Sequence, residues 1–272
     1  MNTAPSLTLS GVSHAYAPRT VLEDIALELP AGRTLALVGP SGCGKTTLLH
    51  LCAGLLTLQE GQLKNGFLRP AVMFQQPRLL PWKTTLDNIA LGLKAGGMDK
   101  RQRQTRASAM ARAVGLDALA LEQFPHELSG GMQSRAALAR ALVLNPDLLL
   151  MDEPFSALDI GLKSQLHRLL LDHQAEYGLA VLMITHDLME AVRLADTLLV
   201  MASEPGRIVQ RIDIPTPRSR RSELEVHQTT ARLLQEPAVC ASFGLALAPP
   251  PDTPAAAADV AGVGGSTLEI HP

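Results

Sequence analysis

The stretch from Thr34 to Gly54 constrains this chain more than any other. Thr34-Leu35-Ala36-Leu37-Val38 is a short apolar run with the character of a buried strand. Gly39-Pro40-Ser41-Gly42-Cys43-Gly44-Lys45-Thr46-Thr47 follows, and Leu48-Leu49-His50-Leu51-Cys52-Ala53 then continues as a helix that Gly54 ends. Strand, glycine turn and helix N-terminus in that order fit the pattern G-x-x-x-x-G-K-[ST]. Glycine lets the backbone wrap closely around an anion, and the free N–H groups and helix dipole point at it. The segment therefore predicts a phosphate cradle. In it Lys45 reaches the β- and γ-phosphates of a nucleotide and the Thr46 hydroxyl holds Mg²⁺. Cys43 sits inside the loop at the helix N-terminus, a position that favours thiolate, although a small side chain that simply fits is the stronger reading. Oxidation or alkylation of Cys43 is expected to block nucleotide binding.

The chain of 272 residues is long enough for one large domain or two small ones. Apolar residues make up 46% but aromatics only 3%, so the core must be built from Leu, Val, Ile and Ala. A net charge of −2 argues against a nucleic-acid partner. Cys43, Cys52 and Cys240 lack metal-ligand spacing and point to a reducing compartment. No charged-then-apolar leader is recognisable, and no apolar run nears the roughly 18 residues that span a bilayer. The expectation is a protein that is soluble or held at a membrane through a partner.

Two β-like stretches, around 7–10 and 21–29, are joined by a turn at Ala17-Pro18-Arg19. Glu60-Gly61-Gln62 and Lys64-Asn65-Gly66 read as a tight hairpin, and Ala71–Phe74 as a short strand. From Thr85 to about Leu144 the periods become helical, over 86–93, over 100–114 and again after Ser129. Strand and helix then alternate: 148–151, 163–177, 180–184, 188–194 and 197–201. Such alternation indicates an α/β protein with a mostly parallel sheet, preceded by an antiparallel β subdomain and interrupted by a helical insertion over about 77–145. Residues 1–244 read as one nucleotide-binding domain. The Ala/Pro/Gly-rich 245–272 has no hydrophobic period and reads as a disordered tail. The basic residues of 100–112 are expected on a solvated helix face rather than a binding patch, and Arg218, Arg220 and Arg221 in an exposed turn rather than against lipid headgroups.

Leu148-Leu149-Leu150-Met151-Asp152-Glu153-Pro154 delivers two acids at the C-terminal end of an apolar strand, where open α/β sheets gather their ligands. Phosphoryl transfer needs a phosphate cradle, a metal holder and a group that positions the nucleophile. Asp152 suits the second role and Glu153 the third. Leu128-Ser129-Gly130-Gly131-Met132-Gln133 opens a helix with Ser129 as N-cap, giving a second anion-binding helix N-terminus. Ser156-Ala157-Leu158-Asp159 follows the acids, and Ile184-Thr185-His186-Asp187 ends the next apolar strand.

From about Leu7 to Leu234 this set of motifs, in this order, resembles the ATP-binding subunits of ABC transporters. The resemblance implies a P-loop NTPase fold, ATP and Mg²⁺ as ligands, and hydrolysis of ATP to ADP and phosphate coupled to transport. It implies that Tyr16 stacks on adenine, with packing at a strand end an equal alternative, and that Gln75 senses Mg²⁺ and the γ-phosphate, the adjacent Gln76 fitting the spacing less well. It further implies that Ser129, Gly130 and Gly131 contact the γ-phosphate held by a partner, that Asp159 lies on the inter-subunit loop, and that His186 is the switch histidine. A head-to-tail homodimer, transmembrane permease subunits and, indirectly, a solute-binding protein follow, as does a peripheral place on the cytoplasmic face of the inner membrane. Ser134 departs from the glutamine usual after the signature. Gln75-Gln76-Pro77-Arg78-Leu79-Leu80-Pro81-Trp82-Lys83, Asp87–Leu93 and Ile212–Arg218 resemble the importer ATPases for nitrate, taurine and aliphatic sulfonates. In that group Leu79, Leu80 and Trp82 would lie near the permease contact, with core packing of the two leucines an equal alternative. The competing readings are an importer ATPase for another solute, a non-transport ABC ATPase, and a P-loop kinase or GTPase. The signature and His186 argue against the last.

Overall fold

Two sheets organise the residues described by the computed structural model, 4–244. The expected tail lies outside the described residues. β1 (Ser6–Tyr16) and β2 (Arg19–Pro30) pair antiparallel, with Leu7 opposite Leu29 and Leu9 opposite Leu27. Period-two alternation puts Leu7, Leu9, Ile25, Leu27 and Leu29 on one buried face. After β3 (Thr34–Val38) and α1 (Lys45–Cys52), residues 60–66 do not close on themselves as the expected hairpin. They run straight as β4 (Glu60–Asn65) along the free edge of β1, Leu63 opposite Leu9. The turn residues of that stretch are real signals, but the hydrogen-bond partner lies some fifty residues away, beyond the reach of local pattern.

β5 (Pro70–Met73) leads into five helices, α2 (Thr85–Ile89), α3 (Leu91–Ala95), α4 (Lys100–Ala113), α5 (Ala118–Glu122) and α6 (Gly130–Leu142). The helix expected over 86–93 is thus two short ones that meet at Ala90. α4 buries only Ala107 and Ala111, as its basic face requires. Then come β6 (Leu148–Asp152), α7 (Ile160–Tyr177), β7 (Ala180–Ile184), α8 (Leu188–Leu194), β8 (Thr197–Ala202), β9 (Arg207–Asp213), α9 (Glu223–Leu233) and α10 (Pro237–Ser242). The six-stranded sheet has the order β5-β6-β7-β3-β8-β9, parallel except for the antiparallel edge pair β8–β9.

Each central strand is buried on both faces, so β3, β6 and β7 are continuous apolar runs. Their side chains divide between two cores. Ala36, Val38, Leu149, Met151, Val181 and Met183 join the helical side. Leu35, Leu37, Leu148, Leu150 and Leu182 face the antiparallel sheet and α1.

Arg218 and Arg221 are anchors rather than members of an exposed turn. Arg218 donates to the carbonyl of Gly32 at 2.7 Å and to Thr34 Oγ1 at 2.7 Å, and pairs with Asp196 at 3.3 Å. Arg221 donates to the carbonyls of Val192 (2.6 Å), Ala195 (2.7 Å) and Thr216 (2.7 Å), tying the end of α8 to the chain before α9. Burial pushes its guanidinium down to about 10. Among the described residues, no helix is long and apolar enough to cross a membrane.

Candidate functional site

Parallel strands carry their C-termini to one edge, and the chemistry collects there. β3 ends in the glycine loop, β5 in Gln75, β6 in Asp152 and Glu153, and β7 in His186. Gly44, with φ of 93°, caps α1 in the left-handed conformation that glycine adopts without strain. No side chain caps that helix, so its first N–H groups are left facing outward. Ser41, Gly42 and Thr46 line the open side, while Gly39, Pro40, Gly44 and Thr47 are half-buried. Lys45 Nζ bends back over the loop, donating to the carbonyls of Gly39 (2.9 Å) and Pro40 (2.8 Å). Cys43 is buried, its Sγ 3.6 Å from that ammonium.

Thr46 Oγ1 donates to Asp152 Oδ2 at 2.7 Å, so the hydroxyl and the first carboxylate meet across α1 and β6. Burial raises the Asp152 carboxyl above the usual range, and the charge of Glu153 adds to this. The Thr46 hydrogen bond and the electrostatic influence of nearby His50 and Lys45 act the other way. Glu153 holds a left-handed backbone, φ 47°, uncommon for a side chain of its size. Its Oε2 accepts from Gln75 Nε2 at 3.1 Å and lies 3.4 Å from His186 Nδ1. It is Gln75, not Gln76, that reaches the carboxylate. The sequence-predicted residues from four strand ends thus converge in one chain.

Others stand apart. Tyr16 is 51% exposed at the end of β1, edge-on to His14 at 5.0 Å. Ser129 accepts from Met132 N at 3.3 Å as N-cap of α6, with Gly130 exposed beside it. Asp159 caps α7, accepting from Leu162 N at 2.9 Å. Leu79 packs on the helical core, whereas Trp82 is 69% exposed.

Two residues that order this region were not anticipated. Arg140 on α6 donates to the carbonyls of Pro77 (2.7 Å) and Arg78 (2.8 Å), fastening the signature helix to the turn after Gln75. Asn88, fully buried, accepts from Leu80 N and donates to the carbonyls of Leu80, Lys83 and Thr84, which shapes the turn that presents Trp82. A polar residue inside an apolar helix face was the available signal for each.

Residues 22–156 match the family described as ABC transporter. The taurine import ATP-binding protein TauB of Escherichia coli strain K12 is 44% identical over 213 residues, which cover 75% of this chain and 83% of that protein. The same protein of Shigella sonnei strain Ss046 gives the same figures. Among solved structures, the dimeric bacterial ABC transporter cassette MJ0796 superposes with a TM-score of 0.72 at 28% identity, over 78% of this chain and 100% of that one. A second dimeric structure of that cassette, in a post-hydrolysis state bound to ADP and Pi, superposes at 0.71. Sheet order, loop geometry and these relationships agree: the chain belongs to the ATP-binding subunits of ABC transporters and is an ATPase of that family.

Proposed function

We propose that this ATPase powers import of a small sulfonate-type anion, taurine foremost, with aliphatic sulfonates and nitrate as the neighbouring candidates. The observation that carries the proposal is the 44% identity to TauB along most of both chains. The glycine loop and the N-terminus of α1 would hold the phosphates of ATP, with Lys45 turning from its carbonyls to the β- and γ-phosphates. Thr46 and Asp152 suit Mg²⁺, because a buried carboxylate of raised pKa gains from a divalent charge beside it. When bound, Mg²⁺ supplies neutralisation of the charge on the β- and γ-phosphates.

Glu153 would accept a hydrogen bond from the attacking water and orient it. Gln75 and His186 both reach the same carboxylate oxygen, so each fixes its direction. Tyr16 would stack on adenine. Ser129, Gly130 and Gly131 would complete the site of a second copy, and Asp159 would lie along that interface. The mostly apolar groove of about 550 Å³ between β5, α3 and the end of α6, lined by Val72, Leu91, Ala95 and Leu144, would receive the permease, with Trp82 at its approach. The subunit would then sit at the cytoplasmic face of the inner membrane, drawing its solute from a separate binding protein.

The test uses Glu153→Gln, purified with ATP from detergent-solubilised membranes. This variant is expected to bind ATP, lose most turnover and carry a polytopic membrane protein with it. Undiminished hydrolysis removes Glu153 from its role, and recovery of ribosomes or repair proteins overturns the transport reading. Uptake of labelled taurine in cells with and without the chain, competed by aliphatic sulfonates and nitrate, identifies the solute.

A further inference from the structure

Behind the convergent site lies a buried polar pair that the chemistry above does not use. His167 on α7 is 5% exposed and Glu190 on α8 is 4% exposed. His167 Nε2 lies 3.5 Å from Glu190 Oε1. The approach is not a hydrogen bond, and neither imidazole nitrogen nor that carboxylate oxygen has a hydrogen-bond partner. The imidazole also meets the fully buried Phe155 edge-on, ring centres 4.7 Å apart.

These contacts close a ring. Phe155 is two residues after Glu153, in the loop that leads to α7. Asp187, the residue after His186, caps α8 by accepting from the backbone N–H of Glu190 at 3.0 Å. Glu153 and His186 approach to 3.4 Å on the open side. Tracing from Glu153 through Phe155, His167, Glu190 and Asp187 returns to His186. A second bridge, Lys163 to Asp187 at 3.5 Å, spans the same two elements nearer the surface. In an apolar cluster the carboxyl group and the imidazole are each the nearest polar partner of the other. Removing one strands the other among apolar side chains, so the pair fixes how the two helices meet.

We propose that His167, facing Glu190, is a positioning residue: it locks the helix after the switch histidine to the loop after the water-orienting carboxylate, and so sets the Glu153–His186 geometry. The proposal rests on the roles given above to Glu153 and His186. Glu190 from α8 faces the imidazole, and Glu223 from α9, bonded to Arg193, interacts with it electrostatically; Lys163, one turn earlier on α7, pairs with Asp187. Phe155 brings no charge.

The experiment measures turnover, ATP affinity and Tm for the full chain with His167→Leu, His167→Arg and Glu190→Gln, beside Glu153→Gln. His167→Leu and Glu190→Gln are expected to lower kcat about tenfold while the Kd for ATP stays within about twofold, since misplaced groups cost rate rather than binding. His167→Arg is expected to restore most of kcat. Unchanged kcat in His167→Leu overturns the proposal, as does failure of arginine to rescue, or an effect confined to Tm. Should His167→Leu not fold, Glu190→Gln and its split between kcat and the Kd for ATP decide. If Glu153→Gln is inactive and these variants are not impaired, only this proposal fails. If Glu153→Gln keeps its turnover, the reading of the site itself fails.

Discussion

Gly206 ties the β8–β9 turn to two parts of the molecule at once, and replacing it with alanine tests whether that tie shapes the glycine loop. Its N–H donates to the carbonyl of Val21 at 2.9 Å, and its carbonyl accepts from Glu23 N at 3.0 Å. A Cβ built at this position lies 2.1 Å from the carbonyl oxygen of Cys43 and 2.7 Å from that of Val21. Both obstacles are backbone, so no side chain can swing aside. Overpacking of this kind costs about 2 kcal/mol. Where the turn yields only in part, the clash persists and the two backbone bonds are also stretched and weakened, at up to about 1 kcal/mol each. A total near 4 kcal/mol corresponds to a fall in Tm of about 10 °C for a chain of this size. Part of the strain passes to the Cys43 carbonyl, inside the loop that would hold phosphate. If a third of it is expressed there, the Kd for ATP rises about tenfold. Differential scanning fluorimetry and titration calorimetry with ATP read the two terms separately. A variant with Tm within about 2 °C of wild type and unchanged ATP affinity would refute the reasoning, showing that the turn moves freely away from the loop.

A Cβ added at Gly130 meets nothing within 4 Å, so Gly130→Ala should leave Tm unchanged; lost ATP turnover in the variant would then report the partner's nucleotide, and full turnover would remove Gly130 from the interface. All three cysteines are buried, and burial pushes the Cys52 thiol up to about 12. A disulfide reagent at pH 8 should therefore find almost no fast thiol in the native chain and three after unfolding; a fast native thiol that ATP protects would identify an opening of the loop at Cys43. Arg221→Ala should lower stability by about 3 kcal/mol in urea titrations, because it strands carbonyls that now bond a charged group. Arg221→Lys should recover little of it, since an ammonium lacks the planar fork; full recovery would show that charge alone matters there.

Much of the site was legible because its signals are local. The glycine loop, the acids after β6 and the histidine after β7 each follow an apolar run, and a parallel sheet necessarily brings such strand ends to one edge. Ser129 was legible as a cap because a hydroxyl before a helix satisfies a free N–H. Most of what escaped depends on distant partners. β4 carries turn residues, but it pairs with β1. β9 alternates Ile208, Gln210 and Ile212 inward against exposed neighbours, a fair strand signal that only its edge position against β8 makes sense of. The exception is the capping box of Ser222 and Glu225, which announces α9 from local residues alone and was missed. Arg218 and Arg221 looked like surface charge because arginine usually is. Only the carbonyls gathered from Gly32, Val192, Ala195 and Thr216 reveal otherwise.

The left-handed backbone at Glu153 sets the interests of the fold against those of the chemistry. At φ 47° a glycine or asparagine would be at ease, and a glutamate is held there only because its neighbours leave it no alternative. Replacing it by either residue would relax the chain while deleting the carboxylate. Selection for thermal robustness alone would thus drift away from glutamate at this position, and only a simultaneous demand for turnover would retain it. A stability screen that recovers Glu153→Gly is therefore measuring how much the protein forgoes to keep an acid at the end of that strand.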